Sequence, residues 1–154
     1  MLLLLFGLLV APVHAAENPA VKVVGETLDH FHQAASRADG KAYFDLFAPE
    51  GVFLGTDASE RWTVEEFKKY AMPHFEKGKG WTYVPRNRHI DLAPGGKVAW
   101  FDELLDNKNY GVCRGSGVLR LIEGRWKVAQ YHLTIPVPNE LADTVVKMIA
   151  EKKK

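Results

Sequence analysis

Residues 97–135 read KVAWFDELLDNKNYGVCRGSGVLRLIEGRWKVAQYHLTI. Three β-rich runs, 97–105, 110–122 and 125–135, are separated only by short polar turns, Asp106 to Asn109 and Glu123-Gly124. Turns this short join antiparallel neighbours, because parallel strands need a crossover of a dozen or more residues. A fourth run, 81–92, precedes them across Pro94-Gly95-Gly96. The C-terminal half therefore predicts a four-stranded antiparallel meander.

Upstream of the meander the apolar period changes from two to about 3.6. Asn18-Pro19 supplies a capping side chain and a proline for the first helical position. Val21, Val24, Leu28, Phe31 and Ala35 then step by three and four along one helix face. Asp39-Gly40 closes that helix and opens a short second one carrying Tyr43, Leu46 and Phe47. Pro49-Glu50-Gly51 turns into a short strand, Val52 to Gly55. Thr63-Val64-Glu65-Glu66 forms a capping box for a third helix with Phe67, Tyr70 and Phe75 inward, ended by Lys77-Gly78. After Pro136 and Pro138, Asn139 can cap a last helix with Leu141, Val145 and Met148 inward. Helices first and a long sheet last make one α+β domain, with no repeat or linker.

Composition narrows the function classes. The chain has 154 residues, enough for one ordinary domain. Twenty Lys and Arg balance 19 Asp and Glu, a net charge of +1, without the basic excess of a nucleic-acid binder. Cys113 has no second cysteine to pair with, and no His/Cys spacing suggests a metal site. Met1 to Val13, MLLLLFGLLVAPV, is too short to span a bilayer, which needs about 20 residues. It fits the apolar part of a signal peptide cleaved after Ala15, although no Lys or Arg precedes it. The expected organisation is a signal peptide over 1–15 and a domain over 16–154, exported to the periplasm or secreted, without a stable membrane anchor.

The register of the meander decides which side chains share a face. If both hairpins use two-residue loops, Asn107-Lys108 and Glu123-Gly124, then Trp100 and His132 both lie opposite Gly115. One face then carries Trp100, Asp102, Gln130 and His132 at one end, above a floor of Leu119, Leu121, Trp126 and Val128. Gly115 and Gly117 remove bulk from the strand between them, as a cleft would require. Glu103, Arg114 and Tyr131 fall on the other face, where Glu103 and Arg114 can form an ion pair. A three-residue loop in either hairpin would exchange the faces across it. Asp102 and His132 lie two strands apart, about 10 Å, suited to opposite sides of a small molecule rather than to direct contact.

Several strings also resemble a known family. FAPEGVFLGTDASERWTVEEF (47–67), WFDELL (100–105), YGVCRGSGVLRL (110–121) and WKVAQYHLTIPVPNE (126–140) are similar to SnoaL-like proteins of the nuclear transport factor 2-like superfamily. The resemblance implies a cone-shaped, cystatin-like fold with N-terminal helices packed on a curved antiparallel sheet. It further implies a homodimer through the outer sheet face, with one interior pocket per subunit. Relatives include ketosteroid isomerases, scytalone dehydratase, polyketide cyclases and catalytically silent binding domains. The cyclase and isomerase members work through an Asp or His that moves a proton next to a carbonyl. The candidate equivalents here are Asp57, Asp102 and His132, whereas the sequence does not place the tyrosine-plus-aspartate oxyanion pair of the isomerases.

The resulting expectation is an exported domain that binds an unidentified small molecule, without metal or cofactor. The alternative is a cofactor-independent isomerase, cyclase or dehydratase. Asp102 and His132 are the catalytic candidates. Asp57, Trp62, Arg88, Trp100, Glu103, Arg114 and Gln130 are the binding candidates, with Glu60 beside Asp57 in the loop before the third helix. Each has a structural alternative: a turn for Asp57, a brace for Trp62, packing for Trp100, an interior hydrogen bond for His132.

Overall fold

Asn18 caps the first helix by accepting the Ala20 N–H at 3.0 Å, and Pro19 occupies its first turn. A computed structural model describes residues 18–152, so the expected signal peptide lies outside the described residues. Helix α1 (Pro19–Ser36) buries Val24, Leu28, Phe31 and Ala35. Asp39 caps the short α2 (Gly40–Asp45), which leads into β1 (Phe47–Leu54) and β2 (Arg61–Thr63). Helix α3 (Val64–Phe75) starts at Thr63 with both capping-box bonds formed. The meander follows as β3 (Val84–Leu92), β4 (Val98–Asn107), β5 (Gly111–Ile122) and β6 (Arg125–Thr134). A 3-10 turn (Asn139–Leu141) precedes α4 (Ala142–Lys152). No described helix is long and apolar enough to cross a membrane.

The six strands form one sheet in the order β2-β1-β6-β5-β4-β3. Neighbours within the meander are antiparallel, while β1 pairs with β6 in parallel after the crossover through the rest of the chain. Helices α1, α2 and α3 pack on the concave side. The core between the layers is unusually aromatic: Phe31, Tyr43, Phe47, Phe53, Phe67 and Tyr131 are all buried.

The β4–β5 loop has three residues rather than two, and the expected faces exchange accordingly. Asn107 pairs with Gly111, and its side chain accepts the N–H groups of Asn109 and Tyr110 at 2.9 and 3.0 Å. Gly111 takes the left-handed conformation (φ 69) that ends such a turn without steric cost. Glu103, not Trp100, therefore stands opposite Gly115. The β5–β6 turn is the expected two-residue one, with positive φ at Glu123 and Gly124. A bulge between Val118 and Leu119 leaves Ala129 as the extra residue of β6 and reverses the alternation there. Trp126 and Val128 before it, and Tyr131 and Leu133 after it, all turn to the core side.

Trp100, Asp102, Gln130 and His132 consequently occupy the outer face, in cross-strand rows Trp100–Val118–Gln130 and Asp102–Ser116–His132. The gap at the glycines is filled rather than open. A Cβ on Gly115 would strike the Tyr131 hydroxyl, and one on Gly117 would strike the Gln130 carbonyl. The last helix also differs from expectation: Leu141 and Met148 are exposed and no residue of α4 is buried. Helix α4 makes its contacts with the preceding 3-10 turn. Tyr70 likewise faces out of α3 instead of inward.

Candidate functional site

Two sets of side chains inside the cone carry chemistry: an aromatic cleft at its mouth and a charged cluster behind it. The cleft has a volume of about 240 Å³. One wall comes from Trp62 on β2 and Phe67 and Tyr70 on α3, whose rings lie nearly parallel, Trp62 to Tyr70 at 5.1 Å between centroids. The other comes from Trp81 and Tyr83 before β3 and Tyr110 at the β4–β5 loop. Phe53 and Leu133 form the base. The capping box at Thr63 sets this geometry, because it starts α3 directly after Trp62 and so brings the two aromatic residues of its next turns beside that indole. Burial pushes the Tyr83 phenol up to about 12.

Behind Phe53, Trp81, Tyr83 and Leu133 the cleft narrows to an inner cavity of about 20 Å³ lined also by His32 and Tyr131. Here Glu103 is fully buried. His32 Nε2–H donates to its Oε1 at 2.6 Å, and Arg88 Nε–H donates to its Oε2 at 2.6 Å. Tyr131 Oη lies 3.5 Å from Oε1. Arg88 is held in turn by the Gly25 carbonyl at 3.0 Å and Asp29 at 2.8 Å, both on α1. Burial alone would raise the Glu103 carboxyl, but the hydrogen bonds and charges of His32 and Arg88 outweigh it and hold the group below its ordinary value. Burial, reinforced by the Glu103 charge, pushes the Tyr131 phenol well up, so it stays protonated.

Position by position, Trp62 lines the cleft while Arg88 and Glu103 meet in the inner cluster. Arg114 is exposed on the outer face, so Glu103 pairs with Arg88 instead. Asp57 is in the exposed loop before β2, where its carboxylate accepts the Ser59 N–H at 2.8 Å. Asp102, His132, Trp100 and Gln130 stand outside the cone for the register reason given above. His32 escaped the sequence reading, although it lies four residues after Leu28 on the apolar stripe of α1. A histidine inside such a stripe needs a polar partner, and that requirement was the available signal. Among the described residues no group of three or more His, Cys, Asp or Glu is placed to hold a metal ion.

The sequence profile of the SnoaL-like domain matches residues 24–138, well over half of the chain. The chain belongs to the SnoaL-like domain family. Both halves of the site, from Gly25 on α1 to Leu133 on β6, lie within the matched SnoaL-like segment. A crystal structure of a nuclear transport factor 2-like protein of unknown function from Pseudomonas putida superposes with a TM-score of 0.66 at 14% identity, covering 79% of this chain and 89% of that one. A cystatin-like-fold protein of unknown function from Nostoc punctiforme gives 0.62 at 17% identity, covering 75% and 90%. A ketosteroid isomerase-like protein from Erwinia carotovora gives 0.60 at 19% identity, covering 79% and 100%. At these identities the likeness establishes the nuclear transport factor 2-like, cystatin-like fold. No curated protein matches the sequence.

Proposed function

We propose that this SnoaL-like domain binds a compact, mainly aromatic or apolar small molecule in the cleft at the mouth of its cone. The observation that carries the reading is the ring-lined wall of Trp62, Tyr70, Trp81, Tyr83 and Tyr110 around about 240 Å³ of open volume. Small-molecule sites are concave and mostly apolar with few polar groups. This volume falls below the ~300–1,000 Å³ of drug-sized sites, which favours a small ligand. Native mass spectrometry of gently purified protein tests it. A reproducible added mass that Trp62→Ala abolishes is the expected result. Unliganded spectra, with no saturable binding of small aromatic probes by wild type, would overturn it.

Proton transfer is the second reading, favoured by the His32–Glu103 pair. A carboxylate that fixes one imidazole nitrogen leaves the other to exchange a proton, an arrangement shared by many general bases. Fold-level analogy with a ketosteroid isomerase-like structure points the same way but carries little weight. The inner cavity of about 20 Å³ has room for a water and no more, so binding outranks chemistry in this conformation. Turnover of a bound ligand, lost in His32→Gln with binding retained, would reverse that ranking.

Two further parts of the reading concern setting. The segment Met1 to Val13 supports export, which N-terminal sequencing of the mature protein checks. Exposed Trp100 and Val112 on the outer sheet face support a homodimer there, checked by light scattering of wild type against Trp100→Glu.

A further inference from the structure

The aromatic cleft is electrostatically one-sided. Among the described residues that line it, Glu60 is the one charged side chain, and no Lys, Arg or His joins it. Aromatic rings are the other main lining, and a ring face attracts cations as a carboxylate does. Glu60 is built in rather than dangling from the loop. Its Oε2 accepts the Asp57 N–H at 3.1 Å, its own N–H donates to the Asp57 carbonyl at 2.9 Å, and its carbonyl accepts the Gly55 N–H at 2.8 Å. A Cβ at position 55 would collide with the Glu60 carboxylate, so glycine there makes the seat for it. Among the described residues Glu60 forms no ion pair.

A neutral hydrophobe could fill the cleft but would leave the carboxylate without a counter-charge, and an anion would meet only like charge. A compact ammonium ion would suit the carboxylate but would lose a strong hydration shell on entering. A methylated ammonium group avoids both costs: its charge is spread over apolar methyls that can rest on ring faces while it stays close to the carboxylate. We infer that the cleft selects small organic cations bearing a methylated, preferably quaternary, ammonium group, with Glu60 and the Trp62, Tyr70, Trp81, Tyr83 and Tyr110 rings as its recognition elements. This rests on the reading of the cleft as a small-molecule site and narrows it to one ligand class.

The test compares two probes of one shape, benzyltrimethylammonium and its neutral carbon isostere neopentylbenzene, titrated against the purified chain with tryptophan fluorescence as the readout. The cation is expected to bind at least about tenfold more tightly. Glu60→Gln should weaken the cation about threefold or more and leave neopentylbenzene unchanged. Circular dichroism confirms that this exposed-loop variant is folded. Equal or tighter binding of neopentylbenzene, or a cation affinity indifferent to Glu60→Gln, overturns the inference while leaving the aromatic binding site standing. Binding of neither probe overturns both.

Discussion

His32 on α1 and Glu103 on β4 meet at 2.6 Å across 71 residues of sequence, inside the cone and away from bulk water. With Arg88 on the other carboxylate oxygen, they tie the first helix to two strands of the sheet. Buried ion pairs contribute little net stability when intact, since desolvation offsets the attraction, but breaking one strands its partners. Glu103→Gln leaves the Arg88 guanidinium without its buried counter-charge. It should destabilise the fold by about 3 kcal/mol, lowering Tm by about 10 °C. Thermal unfolding followed by circular dichroism measures this, and a Tm within a degree or two of wild type would mean the cluster is dispensable to the fold.

The same carboxylate sets an acid dependence. Its native value lies below that of the unfolded chain, about 4.3, so the unfolded state binds the proton first as pH falls. The stabilisation is complete above that unfolded value and is lost as pH descends through it to the lower native value. Urea unfolding between about pH 6 and pH 3 should show wild type losing stability faster than Glu103→Gln. Parallel curves would place the acid sensitivity elsewhere.

Tyr83 gives a dependence at the opposite end of the scale. Its phenol is raised to about 12, against about 10 in an unfolded chain, so its contribution is present below about pH 10 and lost as pH rises through the native value. The ultraviolet phenolate signal should contain a step near 12 that Tyr83→Phe removes, distinct from the raised phenols of Tyr43 and Tyr131. Titration of that residue near 10 would show the cleft to be more open to water than its burial implies.

Much of this architecture was legible in the sequence because local chemistry determined it. Asn18-Pro19, Asp39 and Thr63 each made the cap their side chains predict, and Glu123-Gly124 formed the two-residue turn. The site was less legible because it depends on parity. A loop of three residues at Lys108–Tyr110 and one extra residue in β6 each moved side chains to the opposite face of the sheet. Glu103 was therefore carried inside and Asp102 outside. The Asn107 side chain and Gly111 held the clue, since glycine after a polar triplet is a mark of the longer turn. Pairing across long separations, such as His32 with Glu103, leaves no periodic trace at all.

The two strand glycines test the close approach that replaced the expected gap. Gly115 lies under the Tyr131 hydroxyl, and Gly117 lies against the β6 backbone at Gln130 and the Phe101 ring. A methyl group at either position forces neighbours apart, at a cost of about 1–3 kcal/mol. Gly117→Ala should cost more, because a backbone carbonyl at a bulge yields less readily than a side chain. Chemical denaturation of both variants checks the ranking; two neutral substitutions would mean the strands have slack there.

Asp102 and His132 offer the sharpest separation between the outer face and the interior. Both flank Ser116 on the convex side, with the full thickness of the sheet between them and the cleft. Neither side chain is among those that line the cleft. Asp102→Asn and His132→Gln should leave small-molecule affinity within about twofold of wild type, since surface substitutions remote from a site usually shift free energies by less than ~0.5 kcal/mol. Trp62→Ala should instead abolish most of the binding. Titrating one aromatic probe against all three variants decides the matter. A large loss in either outer-face variant would mean that ligands use the convex surface, and would move the candidate site across the sheet.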